Sequence, residues 1–576
     1  MAGKREEPEI DLLGEVRPRV RAAMTGIAVL SAVLNVLLLS GSIYMLLVYD
    51  LVIPGRSEAT LLGLLALVVA AYLFQGVIEL VRGRVLVHLA SNVDLALEGP
   101  IHRLVAEMAR KAPTLDGNQP VRDLDQVRGF LSGGGPSALV DLPWALFFIA
   151  VLFLLHPYLA YTVIAGAVIL VLLTLLSDRV TREYTTKMVQ LASQRQSVID
   201  VSRHHAEPLF AMGMEHRFAT HWQNTNRRYL SANVRLSGTA GVLAASGKTV
   251  RMLLQSLVLS VGAWLVIHGE ASGGVIFASS ILSSRALAPL EQVIGNWRGL
   301  VGARQSWARL KQFMARLSED AARQPLPAPR TALAIESLSL SPPGANVATV
   351  RDVSVLIYAG ESVAVLGPSG CGKSTLIRGI AGIIDPRSGG VRLDGATLDQ
   401  WPRHELGRHI GYLPQNVDLI AGTIAQNIAR FDPEGAPEQV IAAAEQAGVH
   451  DMIQHLPEGY NTNVGPEGRR LSAGQRQRVA LARALYGDPF LILLDEPNSN
   501  LDAEGEAALV RAIESARERR AIVITVAHRP AVLEAVDLVL LMRDGQATAY
   551  GRKERVVPHL LTNASGPPAL AAGRSI

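Results

Sequence analysis

Gly367-Pro-Ser-Gly-Cys-Gly-Lys-Ser-Thr375 follows the apolar run Ser362-Val-Ala-Val-Leu366 and opens the stretch Lys373–Ile380. The first run reads as a buried strand, because it is short, continuous and ends in glycine. The last reads as a helix. The pattern G-x-x-x-x-G-K-S is complete at Gly367, Gly372, Lys373 and Ser374. Its chemistry follows from the residue types. Glycines let successive backbone N–H groups turn inward around a phosphate. A helix N-terminus adds partial positive charge. Lys373 supplies a point charge for the β- and γ-phosphates, and Ser374 offers a hydroxyl to Mg²⁺. A Gly-rich turn that binds nothing would not need the strand before, the helix after and every position filled. All nine residues, with Pro368, Ser369, Gly370, Cys371 and Thr375, are therefore expected to form a phosphate loop.

A second site agrees. Phe490-Leu-Ile-Leu-Leu494 is another buried-strand run, and it ends in Asp495-Glu496. Open α/β sheets bind ligands beyond the carboxyl ends of their strands. Asp495 is expected to hold Mg²⁺ and Glu496 to polarise an attacking water. A third run, Ala521-Ile-Val-Ile-Thr525, leads to His528. A lone His is more often structural, but one that follows a strand beside the other two is expected to contact the γ-phosphate.

With these motifs in place, residues 331–562 resemble an ABC-transporter nucleotide-binding domain. Leu471-Ser-Ala-Gly-Gln475 resembles the family signature, Gln415 in Tyr412-Leu-Pro-Gln415 the Q-loop, and Ser499-Asn-Leu-Asp502 the D-loop. The resemblance implies ATP and Mg²⁺ as ligands. Ser472, Ala473, Gly474, Gln475 and Asp502 would touch ATP. Gln415 would be both a metal ligand and part of the catalytic set with Glu496 and His528. It also implies a homodimer, in which Lys373 of one chain and Ser472 of the other clamp each nucleotide. Ser472 is a good helix N-cap in its own right. Three departures stand out. Ala473 replaces the usual signature glycine. No aromatic lies in Ser341-Pro-Pro-Gly344, where the family stacks adenine, and Pro342 occupies that place. Val464-Gly-Pro-Glu467 displaces an acidic residue by one.

Upstream, the composition changes. The chain of 576 residues is 49% hydrophobic and 18% charged, and its mean hydropathy is +0.24. A net charge of +4 on a chain this long gives no reason to expect nucleic acid as a partner. One cysteine, Cys371, excludes an intrachain disulfide. Six runs approach the ~20 apolar residues that a bilayer span needs: Met24–Val48, Thr60–Val81, Ala138–Leu155, Tyr158–Leu176, Val250–His268 and Gly274–Ile294. The last two carry Arg251, Gln255 and Arg285, which are expected to face a conduit. The connections after spans two and four are rich in Arg, from Arg82 to Arg128 and from Arg179 to Arg235. Those after spans one, three and five hold Arg56 as their only cation. The positive-inside rule then places both termini in the cytoplasm. The expected domains are a tail over 1–23, a membrane domain over 24–318, a Pro-rich linker over 319–330, the ATPase over 331–562 and a tail over 563–576.

The expected fold is thus a six-span α-helical membrane domain joined to an α/β P-loop NTPase, resembling ABC exporters of the type I fold. That resemblance places coupling helices near Leu104–Leu115 and His204–Arg217. Tyr44-Met-Leu-Leu-Val-Tyr-Asp-Leu-Val-Ile-Pro54, Ala206-Glu-Pro-Leu-Phe-Ala-Met-Gly-Met214 and Leu398-Asp-Gln-Trp401 further resemble type I secretion ATPases of the PrtD kind. These export proteases, lipases and S-layer or repeat-in-toxin proteins through the bacterial inner membrane. A periplasmic membrane-fusion adaptor and an outer-membrane duct complete the path. The cargo would be an unfolded polypeptide with a C-terminal signal, since no peptidase fits before the first span. Two other readings share the motifs: a lipid or drug exporter, and an ATP-gated channel that does not pump. The second is disfavoured because Glu496, Gln415 and His528 are all present. The thiol of Cys371, in the phosphate loop, is expected to be reactive.

Without an aromatic at Pro342, nucleotide selectivity should be loose. Base stacking is worth roughly 1–3 kcal/mol where measured at nucleic-acid sites. GTP is expected to be turned over as well as ATP is, with little discrimination, and a GTP efficiency hundreds of times lower would overturn this and imply an adenine platform elsewhere.

Overall fold

A computed structural model of the chain describes residues 16–111, 117–317, 326–345, 347–527 and 529–556. The expected C-terminal tail, and the last residues of the first coupling segment, lie outside these. The chain begins with α1 (Val16–Leu37) and resumes as α2 (Ser40–Leu47), a π-helical turn over Val48–Val52 and α3 (Ile53–Gly55). Helix α4 (Glu58–Lys111) is continuous, and at 1.5 Å per residue its length exceeds any bilayer. After α5 (Gln119–Ser132) come α6 (Gly135–Asp141), α7 (Trp144–Leu155), α8 (Pro157–His204), α9 (Ala206–Ala211), α10 (Glu215–Ile267) and α11 (Gly273–Leu317). Among the described residues, six helical segments are long and apolar enough to cross a membrane. They coincide with the six expected runs. Leu62, Leu73, Leu80, Leu146 and Leu154 point outward and remain exposed, as lipid-facing residues do. The helices run on past the apolar runs, and a short break around α9 falls where the second coupling segment was expected.

Apolar packing binds α7, α8, α10 and α11 through Phe148, Leu152, Leu159, Val163, Val258, Leu265 and Leu282. At Gly166 an added Cβ would collide with Leu254, so α8 and α10 approach closely only because that residue is glycine. A polar cluster holds the other helices. The Arg82 guanidinium donates to Asp141 (2.8 Å), to Ser31 Oγ (3.1 Å) and to Glu79 (2.7 and 2.9 Å). Asn35 also donates to Asp141 (3.1 Å). Ser31, Asn35, Arg82 and Asp141 are all buried. Arg82 is therefore not the loop cation expected above. It is a desolvated charge matched by carboxylates from its own helix and from α6. Arg251 pairs with Glu291 on α11, its Nε 3.2 Å from Glu291 Oε1.

The second half is an α/β fold. It comprises β1 (Ala332–Leu340), β2 (Val350–Tyr358), β3 (Ser362–Leu366), α12 (Lys373–Ile380), β4 (Ser388–Leu393), β5 (Ala396–Thr397), α13 (Arg403–His409) and β6 (Ile410–Leu413). Then follow α14 (Ile424–Ile428), α15 (Pro437–Gln446), α16 (His450–Gln454), α17 (Ala473–Leu485), β7 (Leu491–Asp495), α18 (Ala503–Glu518), β8 (Ile522–Val526), α19 (Pro530–Ala535), β9 (Leu538–Arg543) and β10 (Gln546–Arg552). One sheet has the order β2-β1-β4-β5 and the other β10-β9-β3-β8-β7-β6. In the second, all neighbours are parallel except β9 and β10. β3, β7 and β8 are buried along their whole length, as strands covered on both faces must be.

The described residues divide into two compact units. Those of His102–Asn118 group with Met314–Ile576, and the remainder form the other unit. Within the second unit, the end of α4 meets the loop after α12. Arg110 donates to Asp385 (2.8 and 3.3 Å) and to the Ile383 carbonyl (2.9 Å), and Lys111 pairs with Glu107 at 2.6 Å. Burial alone would raise the Asp385 carboxyl, but Arg110, Lys111 and Arg403 hold it below the usual range. Glu107 is likewise lowered, with burial outweighed by Lys111 and Arg110. A carboxylate lowered in the fold stabilises it above its unfolded value, about 3.9 for Asp. That stability is lost as pH falls through the folded value. Asp385→Asn should lower the apparent melting midpoint of the full chain by about 2 °C at neutral pH. The difference from the parent should begin to shrink as pH falls below ~3.9 and vanish only below the lowered folded value of Asp385; a difference that did not shrink in acid would exclude the charge as its origin.

Candidate functional site

Register places the site. Asp495 on β7 stands opposite Val526 on β8, and Val526 opposite Val365 on β3. β7 and β3 thus end level. β6 pairs Leu413 with Leu494, so Gln415 emerges beside Glu496. The phosphate loop, the two acidic residues and Gln415 consequently share one edge of one sheet, as ligand sites in such sheets do.

In the loop, Gly367 (φ 152°) and Gly372 (φ 101°) adopt conformations that other residues rarely take. A Cβ at Gly367 would collide with the Met542 carbonyl, and one at Gly372 would lie 3.0 Å from the Thr349 carbonyl. Gly372 caps α12 without a side-chain partner, which leaves first-turn amides to serve an anion. Lys373 is buried, and its Nζ donates to the carbonyls of Gly367 (2.8 Å) and Pro368 (3.0 Å). Ser374 Oγ donates to Asp495 Oδ1 at 2.9 Å. Asp495 is fully buried, and its Oδ2 has no hydrogen-bond partner among the described residues. Burial pushes the Asp495 carboxyl up; Ser374, Arg378 and Lys373 oppose this, and Glu496 adds to it. A hydroxyl oxygen beside an orphaned carboxylate oxygen is a hard-ligand set that suits Mg²⁺. The residues therefore fit that ion.

Glu496, at φ 51°, departs from the strand direction. Gln415 Nε2 donates to Glu496 Oε2 at 3.1 Å, so the water-polarising candidate and the Q-loop candidate are in contact. His528 lies outside the described residues; the strand before it, β8, runs between β3 and β7. Ser472 caps α17 in a reciprocal capping box. Gln475 N donates to Ser472 Oγ (3.3 Å), and Ser472 N to Gln475 Oε1 (2.9 Å). The Gln475 side chain is thereby committed to the cap. A Cβ at Gly474 would sit 2.9 Å from the Asn500 carbonyl, whereas Ala473 is exposed. The fold thus tolerates alanine at the departure but not one residue later. Asp502 accepts from Gly505 N (2.9 Å) as the cap of α18 and pairs with Arg478 of the signature helix (2.9 Å). That amide, with Arg478, holds its carboxyl below the usual range. Glu467, the displaced acidic residue, pairs with Arg469 at 2.6 Å.

Two findings alter the sequence reading. Cys371 is buried in the apolar cluster beneath the loop, so its thiol faces the core and the expected reactivity is not supported. Gln477 was not singled out, yet it is buried and ties α17 to the segment after β7. It donates to the Pro497 carbonyl, and its Oε1 accepts from Asn500 N at 3.1 Å. The available signal was a polar residue on the same helical face as Ala480, Leu481 and Ala484.

If Glu496 orients the attacking water, Glu496→Gln should keep the fold and the contact with Gln415 but slow nucleotide hydrolysis by ~10²–10⁴. Near-normal turnover by purified Glu496→Gln protein would show that the role lies elsewhere.

Comparison with known proteins matches this geometry. The ABC transporter family model covers residues 350–499, and the ABC transporter transmembrane region model covers 117–290. The type I secretion system ATP-binding protein PrsD of Rhizobium meliloti (strain 1021) is 52% identical over 94% of this chain and 93% of its own. The exotoxin translocation ATP-binding protein PaxB of Pasteurella aerogenes is 28% identical over 94% and 76%. A bacterial Atm1-family ABC exporter solved with ATP bound superposes with a TM-score of 0.82. It covers 96% of this chain and 99% of that one at 22% identity, a likeness of fold. With motifs, sheet register and a relative this similar along nearly its whole length, the chain belongs to the ABC transporter family, among the ATP-binding proteins of type I secretion systems.

Proposed function

We propose that the chain is the ATP-driven permease of a bacterial type I secretion system, and that it moves an unfolded polypeptide carrying a C-terminal signal out through the inner membrane. The observation that carries this reading is the end-to-end similarity to a type I secretion ATP-binding protein. It extends through the membrane helices, where exporters of different cargo would diverge. The toxin translocation relatives add support.

Each residue has a role in the proposed cycle. The phosphate loop binds the β- and γ-phosphates through its amides, and Lys373 moves its ammonium from the Gly367 and Pro368 carbonyls onto them. Ser374, Asp495 and Gln415 hold Mg²⁺, which neutralises phosphate charge when bound. Glu496 orients water for in-line attack, and His528 contacts the γ-phosphate. Two chains associate, so that Ser472 and the α17 N-terminus of one face the nucleotide held by Lys373 of the other. The dipole at a helix N-terminus favours such an anion. Gln477 and Asp502 are the connectors within each chain, because they join α17 to the segment carrying Glu496. Both termini lie in the cytoplasm by the Arg distribution. An adaptor and an outer-membrane duct continue the path.

Size favours an unfolded cargo. A folded domain of ~100 residues has a radius of gyration near 13 Å, too wide for a conduit between the helices of one dimer. The test is secretion of a candidate cargo encoded beside this chain, with and without its last ~50 residues, a generous length for one extended signal. Export should be lost on truncation and jammed by a fast-folding fusion. Export that survives truncation, or purified protein that moves lipid and ignores the cargo, would favour the lipid-exporter reading.

A further inference from the structure

The first membrane segment is tied at two levels by polar contacts of opposite character. Near its start, Ser31 and Asn35 of α1 join the buried cluster of Arg82 and Asp141. Beyond α2, Asp50 lies on the π-helical turn Val48–Val52 and is exposed. Its carboxylate accepts from Ser272 Oγ (2.5 Å) and from Gly274 N (2.8 Å). Asp50 thus serves as a helix cap for α11, supplied from a different helix. Beside it, Tyr49 stacks on Phe277 of α11 with ring centroids 4.1 Å apart. Gly274 is required for the approach, because a Cβ there would stand 2.7 Å from the Asp50 carboxylate.

The two ties differ in what breaking them costs. Separating Arg82 from Asp141 would leave a buried charge without its partner, which is strongly unfavourable. Asp50 and Ser272 are exposed, so releasing Asp50 leaves one buried donor, the Gly274 amide, without its partner and leaves no buried charge unpaired. About 15 residues of helix separate Asn35 from Asp50, roughly 22 Å. The π turn between α2 and α3 is a type of irregularity frequent at functional sites.

We infer that Asp50, Ser272 and Gly274 form a releasable latch that holds the outer ends of α1–α3 and α11 together, and that it opens about the Arg82–Asp141 cluster, which stays closed. Asp50 is a positioning residue in this device: it touches neither nucleotide nor cargo. The inference rests on the ATP-driven cycle proposed above, and hydrolysis measured on the same samples separates the two.

The test uses the full chain in lipid nanodiscs, with spin labels at Val52 and Ile276. In the parent, trapping with ATP and vanadate should lengthen the label separation by about 5 Å, one helical turn. Asp50→Ala and Gly274→Ala attack the latch from its two sides. Each should raise the population of the long distance without nucleotide by roughly two- to thirtyfold, the range produced by loss of a helix cap. Asp50→Asn retains a capping oxygen and should restore the parent distribution, an outcome that a general loss of folding would not give. Labels at the exposed Val33 of α1 and Leu139 of α6, which leave the cluster intact, should not move apart in any state. The latch is refuted if hydrolysis proceeds while the Val52–Ile276 distance stays fixed, or if Asp50→Ala and Gly274→Ala leave the distribution unchanged. Separation of the Val33–Leu139 pair during turnover would overturn the pivot. Absence of hydrolysis in the parent would instead remove the ATP-driven reading itself.

Discussion

The hydrogen bond from Ser374 to Asp495 is the contact on which the ATPase half depends. It joins the helix that begins in the phosphate loop to the end of a strand 121 residues later. It exists only because β8 lies between β3 and β7 and brings their ends level. A slip of one residue in either pairing would turn Asp495 to the other face of the sheet. Glu496 would go with it, and Gln415 would lose its partner. Apolar burial along three strands therefore sets the position of every charge in the site.

The membrane half is held by different physics. Lipid tails are as apolar as leucine, so burying leucine between helices gains little from the hydrophobic effect. Close packing at Gly166 and a few polar contacts decide which helices stay together. The buried cluster around Arg82 joins the first, second and third spans, and the Asp50 contacts join the first to the last. The most apolar window of α4 is only 11% buried within the chain. Further along the same helix, Leu86, Leu89, Val93, Leu97 and Ile101 are buried, so apolar packing holds α4 beyond the arginine cluster.

Much of the chain could be read in advance. The phosphate loop, α12 from Lys373 to Ile380, the acidic strand end and the Ser472 cap all rest on local patterns of few residues. The six spans follow from run length alone. The errors share one cause. Arg82 looked like a loop cation because its partner Asp141 is distant in sequence. Cys371 looked reactive from its neighbours, but β3 and α12 turn its thiol into the core. Gln477 was missed because a glutamine on a helix is ordinary until its surroundings are known to be apolar.

By itself the sequence determined the class of each half, the phosphate-binding chemistry and the number of membrane segments. Each depends on residues adjacent in the chain or repeated at a fixed period. Only the tertiary structure decided which charges are paired, which side chains face the site, and that Asp50 caps a helix more than 200 residues away. These depend on what long-range packing removes from water, a quantity that no local pattern records.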